Sequence, residues 1–119
     1  MTSDDALALI ISEARPDGEG LLASVKNGEE PGAERMNRLI SALAVVFRAL
    51  GGRVEIDRKL AAALFALGSE LPLTISSLAS RGHVWRKGFM EDEVYELLMG
   101  VQSIFEDRMI GQEPSETVH

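Results

Sequence analysis

Apolar residues return at three- and four-residue steps between Ala33 and Leu50: Met36, Leu39, Ile40, Leu43, Val46, Phe47 and Leu50. That period gathers them on one broad side of an α-helix, leaves Arg38, Ser41 and Arg48 largely on the other, and meets its stop at Gly51 and Gly52. So large a face does not stay exposed on a stable monomer; it has to meet the rest of the chain or another protein. The same period returns in Val94, Leu97, Leu98, Val101, Ile104 and Phe105 and predicts a last helix from near Glu91 to about Met109. Glu91, Asp92 and Glu93 fall in its first turn, where carboxylates are favoured by the free N–H groups.

The remaining elements are shorter. Residues 4 to 14 read as a helix with Leu7, Ile10 and Ile11 on one side, Ser3 as N-cap and the punctuation of "RPDGEG" as its end. A helical turn or two covers Glu19 to Lys26 before "KNGEEPG". Asp57 is the expected N-cap of a helix to Leu67 that Gly68 ends; "RKLAAALFAL" is apolar nearly all round, the pattern of a central, buried helix. Ahead of it "RVEI" reads equally as a short strand or as an extended entry. Pro72 predicts a break, and Thr74 to Ser80 reads as a short helix with Ile75, Leu78 and Ala79 inward, or as irregular chain. The two long helices share a period but no sequence repeat.

The expected fold is therefore all-α: a small four- or five-helix bundle or orthogonal helical array over residues 1–110, with a marginal two-stranded element left open. Residues 111–119, "GQEPSETVH", have little to bury and are expected to form a flexible C-terminal tail. A chain of 119 residues with 45% apolar content suffices for one core without metal or disulfide staples. The absence of cysteine removes disulfides, thiolate metal sites and thiol nucleophiles. The start, "MTSDDALALIISEAR", has neither the basic leader nor the small-residue cleavage pattern of a secretory signal. The most apolar window, Leu39 to Leu50, contains Arg48 and falls short of a membrane span. Both features predict a cytoplasmic protein that does not cross a membrane.

Charge changes the picture more than composition does. Residues 1–34 carry eight acids and two bases, a net of −6; residues 35–87 carry three acids and nine bases, a net of +6; residues 88–119 return to −7. The overall −7 disfavours a general phosphate binder, and the alternation predicts acidic elements packed beside the basic middle.

The stretch that most resembles a site is "SRGHVWRKGFMEDEVYE". Arg81, Arg86 and Lys87, with His83 able to charge in mild acid, offer a cradle for a phosphate or an acidic partner, and Trp85 offers a stacking surface. The blander expectation gives Trp85 to the core beside Phe89 and the bases to solvent. No phosphate loop or dinucleotide fingerprint accompanies them. Two histidines, one of them His119, leave no metal-ligand pattern, and no cofactor is implied. Nineteen acids make a carboxylate enzyme impossible to single out, and Ser76, Ser77 and Ser80 near His83 are neighbours in sequence only.

A noncatalytic helical protein-interaction, adaptor or regulatory protein fits best. It would bind another protein or itself as a homodimer, through an apolar patch from Met36–Leu50 or Val94–Phe105 rimmed by Arg81, His83, Trp85, Arg86 and Lys87. Behind it stand a DNA-associated transcriptional regulator with a winged-helix-like segment, whose "TISSLAS" is poor in bases for a recognition helix, and a small enzyme with a carboxylate or Ser/His site. The apolar surround of Leu64 yields the first prediction: in thermal melts, Gly or a charged residue at Leu64 lowers the midpoint further than the same change at Arg38.

Overall fold

The computed structural model describes residues 1–107. The described chain is all-helical, and among the described residues there is no strand. In order, the helices are α1 (Ser3–Glu13), α2 (Leu21–Lys26), α3 (Ala33–Leu50), α4 (Arg58–Phe65), α5 (Leu71–Ser80) and α6 (Tyr95–Glu106). Two wider, π-helical turns, Ala66–Glu70 and Phe89–Val94, lead into α5 and α6.

Helix α3 is the axis. Met36, Leu39, Ala42, Leu43 and Val46 are buried along it, as the three- and four-residue spacing requires, so its inward face is covered within one copy of the chain. Helix α1 lies antiparallel on α3, since Glu13 at its end pairs with Arg35 in the first turn of α3. Helix α6 runs parallel to α3. Their starts are tied through Arg86, which bonds both Glu30 and Glu93, and their ends through Asp107, whose carboxylate accepts the Gly52 N–H at 3.1 Å. Between these ties a Cβ on Gly100 would stand 3.1 Å from Leu43 Cδ1, so the two backbones approach where α6 has no side chain.

Several boundaries differ from the sequence expectation, each for a local reason. Thr2 rather than Ser3 caps α1. Its hydroxyl accepts the Asp5 N–H at 3.1 Å and the Asp5 carboxylate receives the Thr2 N–H, a reciprocal pair open only to the residue three before the aspartate. Asp57 caps α4 as expected, accepting from the N–H groups of Lys59 and Leu60 at 3.0 and 3.2 Å. "RVEI" is an extended entry: no strand pairs with it, and Val54 is almost fully exposed. The last helical run begins at Phe89, two residues ahead of Glu91, and α6 closes at Asp107 in the left-handed region (φ 54). The expected end at Met109 and the expected tail at 111–119 lie outside the described residues.

The largest correction concerns Gly68 and Pro72. Neither breaks the chain's helical course, and Arg58–Ser80 is one run of 23 residues. The π-helical turn widens the ladder just before α5, so Pro72 falls in the first turn of α5, where its missing N–H removes no established bond. Gly68 is a packing residue: a Cβ there would meet Val101 Cγ1 at 3.2 Å, so its bareness lets this run cross α6 closely. By length and composition the continuous run is also apolar enough to cross a bilayer. Leu60, Leu64, Leu67, Leu71 and Ile75 nevertheless face the core, which the two-piece expectation had anticipated for "RKLAAALFAL". Its outward side is not covered: Phe65 and Leu73 are 64% and 69% exposed.

One buried charge stands inside this packing. Glu13 is 4% exposed; it accepts the Leu21 N–H at 3.0 Å and two hydrogen bonds from the Arg35 guanidinium at 2.7 and 2.8 Å, while Arg35 also donates to the Glu19 carbonyl. The hydrogen bonds that Arg35 donates to Glu13 hold its pKa above the ordinary value against the opposing effect of burial. A raised folded-state value means the stabilisation is complete below the unfolded pKa and fades only in strong alkali.

Two glycines in matching roles give a prediction. Gly20 and Gly32 both precede helices with similar backbone angles, φ −68 and −71. A Cβ at Gly20 would sit 2.5 Å from the Ser12 carbonyl oxygen, whereas none meets anything within 4 Å at Gly32. In chemical denaturation Gly20→Ala should cost about 2 kcal/mol more than Gly32→Ala, the excess reporting the backbone clash alone.

Candidate interaction surface

The stretch from Ser80 to Glu96 links α5 to α6, and its side chains divide into two groups. Arg81 and Lys87 are exposed. His83, Trp85 and Arg86 are tied into the fold. Trp85 is half-buried, its ring 5.3 Å from Phe89 and 4.0 Å from His83 between centroids, and its Nε1–H donates to the Ile75 carbonyl on α5 at 3.2 Å. It packs on the core beside the fully buried Phe89. His83 in turn lies over the α2–α3 connection, with Gly28 directly beneath its ring.

Arg86 is a clamp. Its Nη1 donates to Glu93 at 2.7 Å and its Nη2 to the other Glu93 oxygen and to the Pro31 carbonyl; its Nε lies 2.7 Å from Glu30, which also accepts the Arg86 backbone N–H. The planar guanidinium meets both carboxylates edge-on and rests 5.3 Å from the Phe89 ring centroid. Hydrogen bonding to Glu93 is the main cause that raises the Arg86 pKa, opposed by burial and assisted by the charges of Glu93 and Glu30. Glu13–Arg35, Glu30–Arg86 and Glu93–Arg86 all join an acidic end of the sequence to its basic middle, as the charge alternation implied.

The chemistry weighed for this stretch finds little assembled around it. Ser76 and Ser77 are exposed, and the Ser80 hydroxyl donates to the Ser77 carbonyl at 2.8 Å within its own helix. Residues 83–86 carry no strand from which a wing could be built. Among the described residues no three His, Asp or Glu side chains cluster as metal ligands would. A polar hollow beside the α1–α2 turn is lined by Glu13, Arg15, Asp17, Glu19 and Arg35, but Glu13 pairs with Arg35 and Arg15 with Asp17 across it.

An apolar concavity lies elsewhere among the described residues, between the Arg58–Ser80 run and α6. A groove of about 480 Å³ is bounded by Phe65 and Ser69 on one side and Leu98, Gln102 and Phe105 on the other, with Gly68 at its floor. Phe65 is 64% and Phe105 50% exposed. Tyr95, three residues before Leu98, and Leu73, four after Ser69, extend the same two helix sides, and both are more than half exposed. Phe105 had been expected in the inward stripe of the last helix; it lies at the edge of that stripe and faces out. Phe65 was the missed residue. The only signal for it was that "RKLAAALFAL" is apolar on more sides than one core can cover.

The clamp yields a prediction of unequal cost for two adjacent bases. Arg86→Glu would set a third carboxylate among Glu30 and Glu93 and should lower stability by about 3 kcal/mol, whereas Lys87→Glu should change it by about 0.5 kcal/mol or less, both measured by chemical denaturation.

Compared with family models, curated proteins and solved structures, the chain finds no match in any of the three.

Proposed function

We propose that this chain is a noncatalytic helical protein-interaction protein, and that its docking surface is the groove between the Arg58–Ser80 run and α6. One observation carries this: two phenylalanines, Phe65 and Phe105, stand more than half or half exposed on opposite lips of a groove whose floor is apolar. Scattered single apolar residues are ordinary on a surface; paired aromatics across a shared concavity are the arrangement of an interface anchor.

The magnitudes limit what the pair can do. Covering both rings removes roughly 200 Å² of aromatic surface from water, about 5 kcal/mol in gross terms. Association costs about as much or more in lost translational and rotational freedom. The two rings can orient a partner, and a stable complex needs Leu73, Tyr95 or charged flanks as well. The broad face of α3 has no part in this proposal, because Met36, Leu39, Leu43 and Val46 are buried in the core and Ile40, Phe47 and Leu50 are partly buried against it. Arg86 is likewise spent on Glu30 and Glu93, so a basic rim would have to come from Arg81 and Lys87.

The test is a photo-cross-linking amino acid placed at Phe105 in cells. It should capture a partner chain or a second copy, severalfold more than the same probe at exposed Arg38, and Phe65→Ser in the same chain should cut the yield. Equal capture from both positions would remove the groove as the docking surface.

A further inference from the structure

Helix α2 ends on Asn27, and Gly28 follows it in the left-handed region (φ 78). The Gly28 N–H donates to the Val25 carbonyl at 2.9 Å and the Glu29 N–H to the Ser24 carbonyl at 2.8 Å, the pair of bonds that closes a helix on a left-handed residue. That closure selects glycine. The same missing side chain leaves the Gly28 nitrogen unshielded beside the Asn27 carboxamide, which is exposed and bonds to no described residue. The turn is held from above as well: a Cβ on Gly28 would stand 3.4 Å from His83 Cε1, so the half-buried His83 ring rests on it.

We propose that Asn27 is a site of spontaneous deamidation, that it reacts only when this turn opens, and that the isoaspartate formed there loosens the clamp at Arg86. In the closed turn Asn27 has φ −88 and ψ 6, angles that carry the Gly28 nitrogen away from its carboxamide, and Val25 holds the nitrogen's proton. Opening frees both. The Gly28 nitrogen, having lost its proton to base, attacks Asn27 Cγ; the bond from Cγ to the amide nitrogen breaks, and ammonia leaves with the returned proton. Water then opens the five-membered imide at one of its two carbonyls, giving aspartate or isoaspartate, so that in sum one water enters and one ammonia leaves. Isoaspartate puts an extra methylene into the main chain between the helix cap and Gly28. The bonds to Val25 and Ser24 then no longer form together, since each depends on the spacing of three consecutive backbone N–H groups. Glu30 lies two residues beyond Gly28 and accepts the Arg86 backbone N–H at 2.7 Å, so a turn that loses its register draws Glu30 off the clamp. The site lies apart from the groove and does not depend on what docks there.

The test incubates the full chain in mildly alkaline buffer at body temperature and follows the tryptic peptide of residues 27–35 by mass spectrometry. That peptide should gain about 1 Da over weeks, and Asn27→Gln should abolish the gain. The chain unfolded in urea should convert about tenfold faster, and His83→Ala should raise the folded rate severalfold with unchanged circular dichroism. The isoaspartate form, resolved chromatographically from the aspartate form, should unfold at lower urea than the parent chain. Asn27→Asp, which adds the same charge and no methylene, should not.

No gain in the folded chain over a period in which the unfolded chain converts completely removes the site. Equal rates in the folded and unfolded chain, or no effect of His83→Ala, remove the control by the turn. An isoaspartate form as stable as Asn27→Asp removes the loosened clamp, and any of these outcomes overturns the inference as stated.

Discussion

Everything in this fold is arranged around the need to cover the apolar side of α3. A helix with Met36, Leu39, Leu43 and Val46 on one side cannot stand in water, and two elements close over it from opposite directions in sequence. Helix α1 lies antiparallel along it, joined through the connection that carries α2, while α6 arrives parallel from the far end of the chain. Parallel packing of two helices requires a long connection, and the Arg58–Ser80 run supplies it by crossing back. Once that run is committed as the crossing element, one side of it belongs to the core and no other described helix covers the side that carries Phe65 and Leu73. The exposed Phe65 and Leu73 follow from this topology.

Charge does a different job at each end of the α3–α6 pair. At the start, Arg86 draws together Glu30 from ahead of α3 and Glu93 from ahead of α6, so a single guanidinium sets the register of two helices distant in sequence. At the other end the tie is weaker in charge and stricter in geometry: Asp107 adopts a left-handed backbone that lets its carboxylate reach the Gly52 N–H. Buried or half-buried pairs such as Glu13–Arg35 add little net energy compared with an apolar packing of the same volume, but once present they penalise every arrangement that leaves one partner alone. Their value here is in fixing which helix end meets which.

The acids on α6 divide by the same logic. Glu93 accepts from Arg86, Glu106 from Gln102 and Asp107 from the Gly52 N–H, whereas Glu91, Asp92 and Glu96 are exposed and form no ion pair with a described residue.

The helical class, the inward faces of α3 and α6, the Asp57 cap and the complementarity of acidic ends with a basic middle are all properties of local spacing and composition, so the sequence determined them unaided. Local rules fail where the outcome depends on a neighbour distant in the chain. Gly68 and Pro72 look like stops, yet Gly68 is a contact with Val101 and Pro72 is tolerated because a widened turn precedes it. Arg86 and Lys87 are adjacent and chemically alike; only the folded chain makes one a clamp and leaves the other in water, because Glu30 lies across from the first. Periodicity placed Phe105 in the inward stripe of the last helix and Phe65 in a helix expected to be buried, yet both are exposed, since which apolar side is covered depends on the neighbours available. Tertiary structure decided it by spending the neighbours elsewhere.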